Sequence, residues 1–225
     1  MAQNLPLAFP IQSSPSIATY SYTDIAEGTG IVKFYGAVHN EGETNSFMLT
    51  TNTPYSNQII VSGAVTTTAS AERLRNDTFS VTFNRPQNLK GKAYLNMSIG
   101  GNLVSGYDAV ERMAVSGAYL AKFDGTTETA ITVLVSGASM LHGGVDVTSK
   151  TILTEFNISS VAHFKKGDSL RLIIPLWAFN GYDNGEMTHG GYGCDPIGRA
   201  DPNGKTINTT ETTKMELYVP FVLNI

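Results

Sequence analysis

The chain has 225 residues, of which 41% are hydrophobic and 15% are charged, with 22 glycines and a formal net charge of −4. This apolar content excludes a disordered chain, and low charge with many glycines is typical of β-sheets joined by turns rather than of a helical bundle. A negative chain without a basic cluster disfavours nucleic-acid binding, and no apolar stretch is long enough to span a bilayer, so we expect neither nucleic acid nor a membrane as a partner.

The first 16 residues contain three prolines and show no hydrophobic period. They predict an extended N-terminal arm, which is either mobile or lies on a neighbouring subunit, and Phe9 in this arm is a candidate subunit contact. The N-terminus has neither the basic nor the apolar region of a signal peptide, so synthesis in a cytoplasm is expected. Residues 17–225 are predicted to form a single β-sandwich domain, since all-β domains of this length are common.

Alternation of apolar and polar residues predicts β-strands along most of this domain. The predicted strands are 17–23, 31–38, 46–51, 58–64, 79–83, 93–99, 113–123, 129–137, 152–160, 170–177 and 215–223. The strand 93–99 is predicted to end at Gly100 and Gly101. In the strand 170–177 four aliphatic side chains share one face, namely Leu170, Leu172, Ile174 and Leu176. The strand 215–223 is so apolar that it needs a neighbouring strand on at least one side.

One segment is ambiguous between helix and strand. Asp108 and Glu111 match a capping box, which favours a helix. The apolar alternation over 113–123 favours a strand that leads into the hairpin turn Asp124-Gly125, and we prefer this interpretation. A short helix stays an alternative within 69–75 or 108–114.

Residues 180–211 are rich in glycine, aspartate, asparagine and threonine and show no hydrophobic period, which predicts a long loop. Four residues of this loop are candidates for ligand binding, because aromatic rings and short polar side chains suit a sugar: Tyr182, Asp183, Asn184 and Tyr192. The oxygen-bearing side chains also suit calcium, although their spacing does not match an EF-hand loop. The sequence leaves open whether residues 181–204 bind sugar or calcium.

No catalytic constellation is recognisable. The histidines do not occur in the paired spacing of zinc sites, and the nucleophile elbow of α/β-hydrolases is missing. Cys194 has His189 close by in sequence, but we interpret it as an ordinary loop thiol rather than a nucleophile. We therefore expect no enzymatic activity, no bound metal and no cofactor.

Two segments resemble known proteins. Residues 24–36, DIAEGTGIVKFYG, and residues 163–172, HFKKGDSLRL, resemble segments of β-rich structural proteins of tailed phages and related viruses. The second segment also resembles the Phe-x-x-Gly-Asp hairpin of trimeric jelly rolls in the tumour-necrosis-factor and C1q-like families. The resemblance implies an all-β, antiparallel jelly-roll β-sandwich of about ten strands with a long Gly/Asp/Asn-rich loop, and it carries no catalytic residues.

The sequence thus predicts a virion structural protein, a capsid decoration or minor capsid component, made in the host cytoplasm and located in the virion. It is expected to act as a homo-oligomer, as a trimer, and to contact other capsid or virion proteins. Trp177 is the second candidate subunit contact, whereas Lys165 and Asp168 are interpreted as turn residues that aid solubility. The alternative is a carbohydrate-binding, lectin-like module on a viral fibre or secreted particle, with its site in the loop that contains Tyr182.

Overall fold

A computed structural model describes residues 29–41, 44–53, 58–61, 65–66, 71–103, 111–142, 147–180, 186–195 and 214–222. These residues form strands and turns without a helix, which confirms the predicted all-β class. The described part of the chain holds no helix that is long and apolar enough to cross a membrane. The predicted arm 1–16 with Phe9, and the predicted strand 17–23, lie outside the described residues.

Thirteen strands follow one another along the described part of the chain. In chain order they are β1 (Thr29–Glu41), β2 (Thr44–Thr50), β3 (Gln58–Val61), β4 (Val65–Thr66), β5 (Ala71–Thr82), β6 (Gln87–Leu103), β7 (Glu111–Phe123), β8 (Glu128–Ala130), β9 (Val135–His142), β10 (Val147–Phe164), β11 (Ser169–Asn180), β12 (Glu186–Asp195) and β13 (Glu216–Val222).

The strands form one curled sheet that folds over into two layers. The first layer runs β10-β6-β13-β1-β2, and the second runs β5-β11-β7, with β8 and β9 beside β7. The layers are joined where β2 meets β5 at the single pair Met48 and Ser80, the one parallel contact among the described strands. Every other described pairing is antiparallel, as expected for a jelly-roll-like sandwich.

One hydrophobic core contains residues of both layers. Its largest fully buried side chains come from strands of each layer and from the end of β10: Phe79, Phe156, Phe164, Leu95, Met97, Ile99, Leu120, Ile152, Ile158 and Leu170. The predicted inward face of β11 is confirmed, since Leu170, Leu172, Ile174 and Leu176 are completely buried. Ile173 on the opposite face is buried as well, because it lies between Thr78 of β5 and Tyr119 of β7.

The ambiguous segments are strands. Residues 111–114 belong to β7 and residues 71–75 belong to β5, so the helical alternative is wrong there, whereas residues 69–70 and 108–110 lie outside the described residues. Both segments pair with β11, and this pairing satisfies their backbone groups better than an isolated helical turn would. The predicted strand 215–223 is confirmed as β13, which has a neighbour on each side, β1 and β6.

Two strand boundaries differ from the prediction. β6 does not end at Gly100 and Gly101 but continues to Leu103, because β10 and β12 hydrogen-bond to it on both sides there. The predicted strand 129–137 is interrupted between β8 and β9. In the interruption the Leu120 backbone N–H donates to Oγ1 of Thr132 at 3.0 Å. A side-chain hydroxyl thus accepts the hydrogen bond that a backbone carbonyl would accept in a continuous strand.

The predicted loop 180–211 contains a strand. Residues Glu186–Asp195 form β12, which pairs with β6 on one side and with β3 and β4 on the other. Its sequence, EMTHGGYGCD, lacks hydrophobic alternation, and the pairing rests on the backbone hydrogen bonds of its two neighbours. The loop prediction is therefore wrong for these ten residues.

Candidate functional site

The turn between β10 and β11 is a self-contained cluster of charged groups, which we call the charged turn (Phe164 to Asp168, with Lys122). Phe164 is completely buried and its ring meets that of Phe83 edge-on at 5.1 Å. Gly167 has φ of 95°, a conformation that favours glycine, and its N–H donates to the Phe83 carbonyl at 2.8 Å. The Phe-x-x-Gly-Asp motif thus anchors one end of the sandwich.

Asp168 closes this turn. Its Oδ2 accepts a hydrogen bond from the Lys165 backbone N–H at 2.7 Å and pairs with Lys122 Nζ at 2.8 Å. The same Nζ donates to the His163 carbonyl at 2.7 Å. The hydrogen bond from Lys122, followed by that from the Lys165 backbone, lowers the pKa of Asp168. Asp168 is buried, so the interpretation as a solubility residue is wrong and its role is structural.

The outer surface of the first layer carries a different cluster, which we call the tyrosine face. It occupies two adjacent rows across β10, β6, β13 and β1. Strand pairing places the first row in the order Glu155, Tyr94, Tyr218 and Lys33. Pairing places the second row in the order Leu153, Asn96, Glu216 and Tyr35. Because side chains alternate along a strand, these eight residues point away from the core that their neighbours Leu95, Leu217 and Phe34 fill.

An ion pair lies at the centre of the tyrosine face. Lys33 Nζ is 3.3 Å from Glu216 Oε1, and the two side chains are 35% and 20% exposed. The Tyr218 hydroxyl donates to Glu216 Oε2 at 2.6 Å. Lys33 Nζ also lies 4.7 Å from the ring centre of Tyr35 and 5.9 Å from that of Tyr218. The ion pair therefore contacts both tyrosine rings as well as the Tyr218 hydroxyl.

The ionisation behaviour of this cluster follows from these contacts. The Tyr35 hydroxyl, and then the Glu216 carboxylate, raise the pKa of Lys33 against the opposing effect of burial. Burial, and then the hydrogen bond to Glu216, raise the pKa of Tyr218. These shifts favour the charged form of Lys33 and the protonated form of Tyr218. The eight residues of the face include one lysine and two glutamates, and Glu155 pairs with Lys92 at 3.0 Å.

Apolar side chains stand beside these polar groups. Leu153 is 67% exposed at one end of the second row, and Ile31, paired with Pro220, is 49% exposed. Tyr94, Tyr218 and Pro220 are half-buried. The alternate positions of β6 and β13 in the sequence already carry the polar and aromatic residues of this surface. The pairing of these two strands, which are distant in the chain, brings the residues together.

The predicted ligand loop is only partly described. Tyr182, Asp183 and Asn184 lie outside the described residues, so their role stays a prediction. Tyr192 lies in β12, where it pairs with Ile60 of β3 and Ile99 of β6. Trp177 is half-buried in β11, and its indole N–H donates to the Ser116 carbonyl at 3.0 Å, so its role as a subunit contact also stays a prediction.

Cys194 is a buried core residue of β12 rather than a loop residue. His189 precedes it by five positions in the same strand, which separates their α-carbons by about 17 Å at the usual rise per residue. The two cannot form a nucleophile and base pair. Among the described residues, no three His, Cys, Asp or Glu side chains are grouped to hold a metal ion.

Several solved structures match part of this chain at low sequence identity and low TM-score. A CocE/NonD family hydrolase from Staphylococcus aureus matches 84% of this chain and 36% of its own, with 11% identity and a TM-score of 0.41. The Eiger TNF of S. frugiperda matches 74% of this chain and 93% of its own, with 10% identity and a TM-score of 0.23. A pentameric capsid protein from metagenomic phage sequences matches 59% of this chain and 74% of its own, with 16% identity and a TM-score of 0.15.

No protein-family profile and no curated protein sequence matches the chain. The chain spans 36% and 41% of the length of two hydrolase structures that it matches. This comparison contradicts the expectation that the chain is not an enzyme, because both of these structures are CocE/NonD family hydrolases. At TM-scores this low, neither the hydrolase structures nor the capsid and TNF structures assign a reaction or a role to this chain.

Proposed function

We propose that this chain is a structural protein of a viral particle and that it assembles with further copies of itself through the tyrosine face. One observation carries the assembly part: the half-buried Tyr94 and Tyr218 lie beside the ion pair of Lys33 and Glu216 and the exposed Leu153. The viral part is supported by the resemblance of residues 24–36 and 163–172 to segments of phage structural proteins.

Physical chemistry favours this face as a protein contact. Tyrosine is enriched in protein interfaces, where its ring adds apolar area at little conformational cost and its hydroxyl keeps a hydrogen bond. Tyr218 and Tyr35 are already held by Lys33 and Glu216, so little side-chain freedom is lost on binding. Lys33 and Glu216 already pair with each other, so another protein surface can cover them without leaving either charge unpaired.

The test is the oligomeric state of the purified protein, measured by native mass spectrometry over a range of concentrations. We expect an oligomer, proposed to be a trimer, that Leu153→Asp dissociates, because a carboxylate would be buried without a partner. Val161→Asp is the matched control, since Val161 is also an exposed aliphatic residue of β10 but lies in the bulge after Ile158. A monomer at every concentration, or equal assembly of Leu153→Asp and the wild type, would overturn the proposal.

The location in a virion and the contact with other virion proteins are further parts of this proposal. We expect the purified protein to co-sediment with viral particles that lack it, and Leu153→Asp to reduce the amount bound if assembly is required. Absence of binding to any particle by an oligomeric protein would contradict the virion location while leaving self-assembly intact.

The second candidate function is binding of a neutral glycan on the tyrosine face. Tyr94 and Tyr218 are directly opposite each other on β6 and β13, and Asn96 and Glu216 form the next pair. This arrangement offers two rings for sugar stacking and two polar side chains for hydroxyl groups. Binding on a glycan array that is lost in Tyr94→Ala would support this function, and silence of the wild type on the array would remove it.

A further inference from the structure

The charged turn lies beside a second turn at the same end of the sandwich. Phe83 follows β5, and its N–H donates to the Asp168 carbonyl at 2.9 Å. The Phe83 carbonyl accepts the Gly167 N–H at 2.8 Å. These two hydrogen bonds extend the pairing of β5 with β11 beyond the ends of the strands. The turn of residues 83–86, which joins β5 to β6, is thereby held against the turn that joins β10 to β11.

Three exposed cations lie on these neighbouring turns, Arg85 on the first and Lys165 and Lys166 on the second. We call these three residues the cationic tip. Neither lysine side chain enters an ion pair among the described residues. The backbone N–H of Lys165 donates to Asp168 Oδ2, so the turn that carries both lysines is hydrogen-bonded internally while their ammonium groups stay exposed.

The two aspartates near the cationic tip are engaged within their own turns. Asp168 is buried and pairs with Lys122 at 2.8 Å. Asp124 Oδ1 accepts the backbone N–H groups of Thr126 and Thr127 at 2.9 and 2.7 Å. Neither carboxylate is paired with a cation of the tip. In a chain with a formal net charge of −4, the tip is therefore a local excess of positive charge.

The surroundings of the cationic tip favour a sulfated polysaccharide over other polyanions. In the described part of the chain, no large exposed hydrophobic residue lies on either turn, so the tip has no apolar group to insert into a bilayer. Phe83 and Phe164 pack edge-on against each other at 5.1 Å, rather than standing free for a base to stack on. Two of the three cations are lysines, which bind anions as point charges and lack the planar fork that fits a carboxylate.

We propose that the cationic tip binds a sulfated polysaccharide, with sulfate groups of one flexible chain contacting Lys165, Lys166 and Arg85. The proposal does not depend on self-assembly, because the tip lies on turns at one end of the sandwich and not on the tyrosine face. A narrow, flexible chain confines its contacts to two adjacent turns. A nucleic-acid duplex carries a charge about every 1.7 Å and extends beyond such a patch, where the net negative charge of the protein repels it.

The probe is a heparin oligosaccharide, whose affinity is measured by isothermal titration calorimetry over a range of salt concentrations. We expect binding at about 0.15 M salt. Lys166→Gln should weaken this binding about threefold to fivefold and lower its salt dependence by about one ionic contact. Lys92→Gln is the matched control, because it removes the same charge from an exposed lysine that is paired with Glu155 at 3.0 Å. Circular dichroism checks that both variants fold.

Absence of heparin binding by the wild type, or equal weakening by Lys166→Gln and Lys92→Gln, would overturn the proposal. Desulfated heparin should bind more weakly than heparin, because it keeps the sugar backbone without the sulfate groups. Polyglutamate and duplex DNA are the further probes. If any of these three binds as tightly as heparin, the tip is a general anion surface and the assignment to a sulfated polysaccharide fails. Native mass spectrometry reports self-assembly separately, so failure of that proposal is distinguishable from failure of this one.

Discussion

Lys122 in the charged turn and Lys33 in the tyrosine face have the same local chemistry in two different settings. Each ammonium pairs with a carboxylate and lies near an aromatic ring, Phe164 for Lys122 and Tyr35 for Lys33. The carboxylate of Asp168 also accepts a backbone N–H, and Lys122 donates to a backbone carbonyl. The partners of Lys33 are side chains, and they sit on an open sheet surface.

This difference separates groups that hold the fold from groups that are free to serve binding. A charge tied to backbone atoms fixes the path of the chain, so its removal changes the turn itself. A charge tied only to side chains on the outside of a formed sheet can be removed without altering strand pairing. We therefore expect changes in the charged turn to appear as lost stability and changes in the tyrosine face to appear as lost assembly.

The largest expected effect on stability is at the charged turn. Phe164→Ala should lower the free energy of unfolding by about 3–5 kcal/mol, because it leaves a cavity beside Phe83 in the core. Urea unfolding followed by circular dichroism measures this. Leu153→Ala on the tyrosine face, measured at a concentration at which both proteins are monomeric, is the control and should change stability by less than about 0.5 kcal/mol. Equal losses in the two variants would remove the distinction between the regions.

The next effect concerns assembly. Tyr218→Ala should weaken self-association about thirtyfold, corresponding to about 2 kcal/mol for an aromatic residue near the centre of an interface. Tyr218→Phe keeps the ring and loses only the hydroxyl that donates to Glu216, so it should weaken association less. Dissociation constants from sedimentation measure both. An equal loss in Tyr218→Phe and Tyr218→Ala would show that the hydrogen bond to Glu216, not the ring, provides the contact.

A smaller, stabilising effect is expected on the inner side of β10. Thr154 is buried behind the tyrosine face, and its hydroxyl has no hydrogen-bond partner among the described residues. Thr154→Val replaces this hydroxyl by a methyl group of similar size and should raise the free energy of unfolding by about 1 kcal/mol. Assembly should be unchanged, because Leu153 and Glu155 on the outer side are retained. A destabilised variant would indicate that the hydroxyl is satisfied in solution.

The smallest expected effect is a dependence of stability on pH in the acid range, which involves the carboxyl group of Asp124 near the charged turn. Backbone N–H groups of Thr127 and Thr126 lower the pKa of Asp124 from 3.8 to about 2. A carboxyl group whose pKa is lower in the folded state stabilises the fold above about pH 4, and this contribution is lost as the pH falls toward 2. Asp168 changes in the same direction. Asp124→Asn should flatten the loss of melting temperature between pH 4 and 2, and an unchanged slope would contradict this.

The sequence predicted those parts of the fold that depend on local pattern. The alternation in β7, β11 and β13 is a local signal, and the structure confirms it. β12 was missed because its stability comes from backbone bonds to β6 and β3, which leave no period in its own residues. The gap between β8 and β9 was missed because it depends on a hydrogen bond from the Leu120 backbone N–H to the side-chain hydroxyl of Thr132, which leaves no pattern in the sequence.

The candidate site was less predictable than the fold. Tyr94 and Tyr218 are 124 positions apart in the chain and meet only because β13 pairs with β6. No spacing rule within one segment reports such a pair, whereas the loop 180–211 attracted attention through its composition alone. The role of Asp168 was underestimated for a similar reason, since its partner Lys122 lies on another strand.

The position of β13 has a consequence for synthesis. β13 is the last described strand in chain order, yet it lies between β1, the first described strand, and β6. While residues 216–222 are still inside the ribosome, β1 and β6 each have an unpaired edge on the side that β13 later fills. Completion of the first layer, and with it of the tyrosine face, therefore waits for the emergence of this strand. If the proposed assembly uses this face, copies that are still being translated cannot yet take part in it.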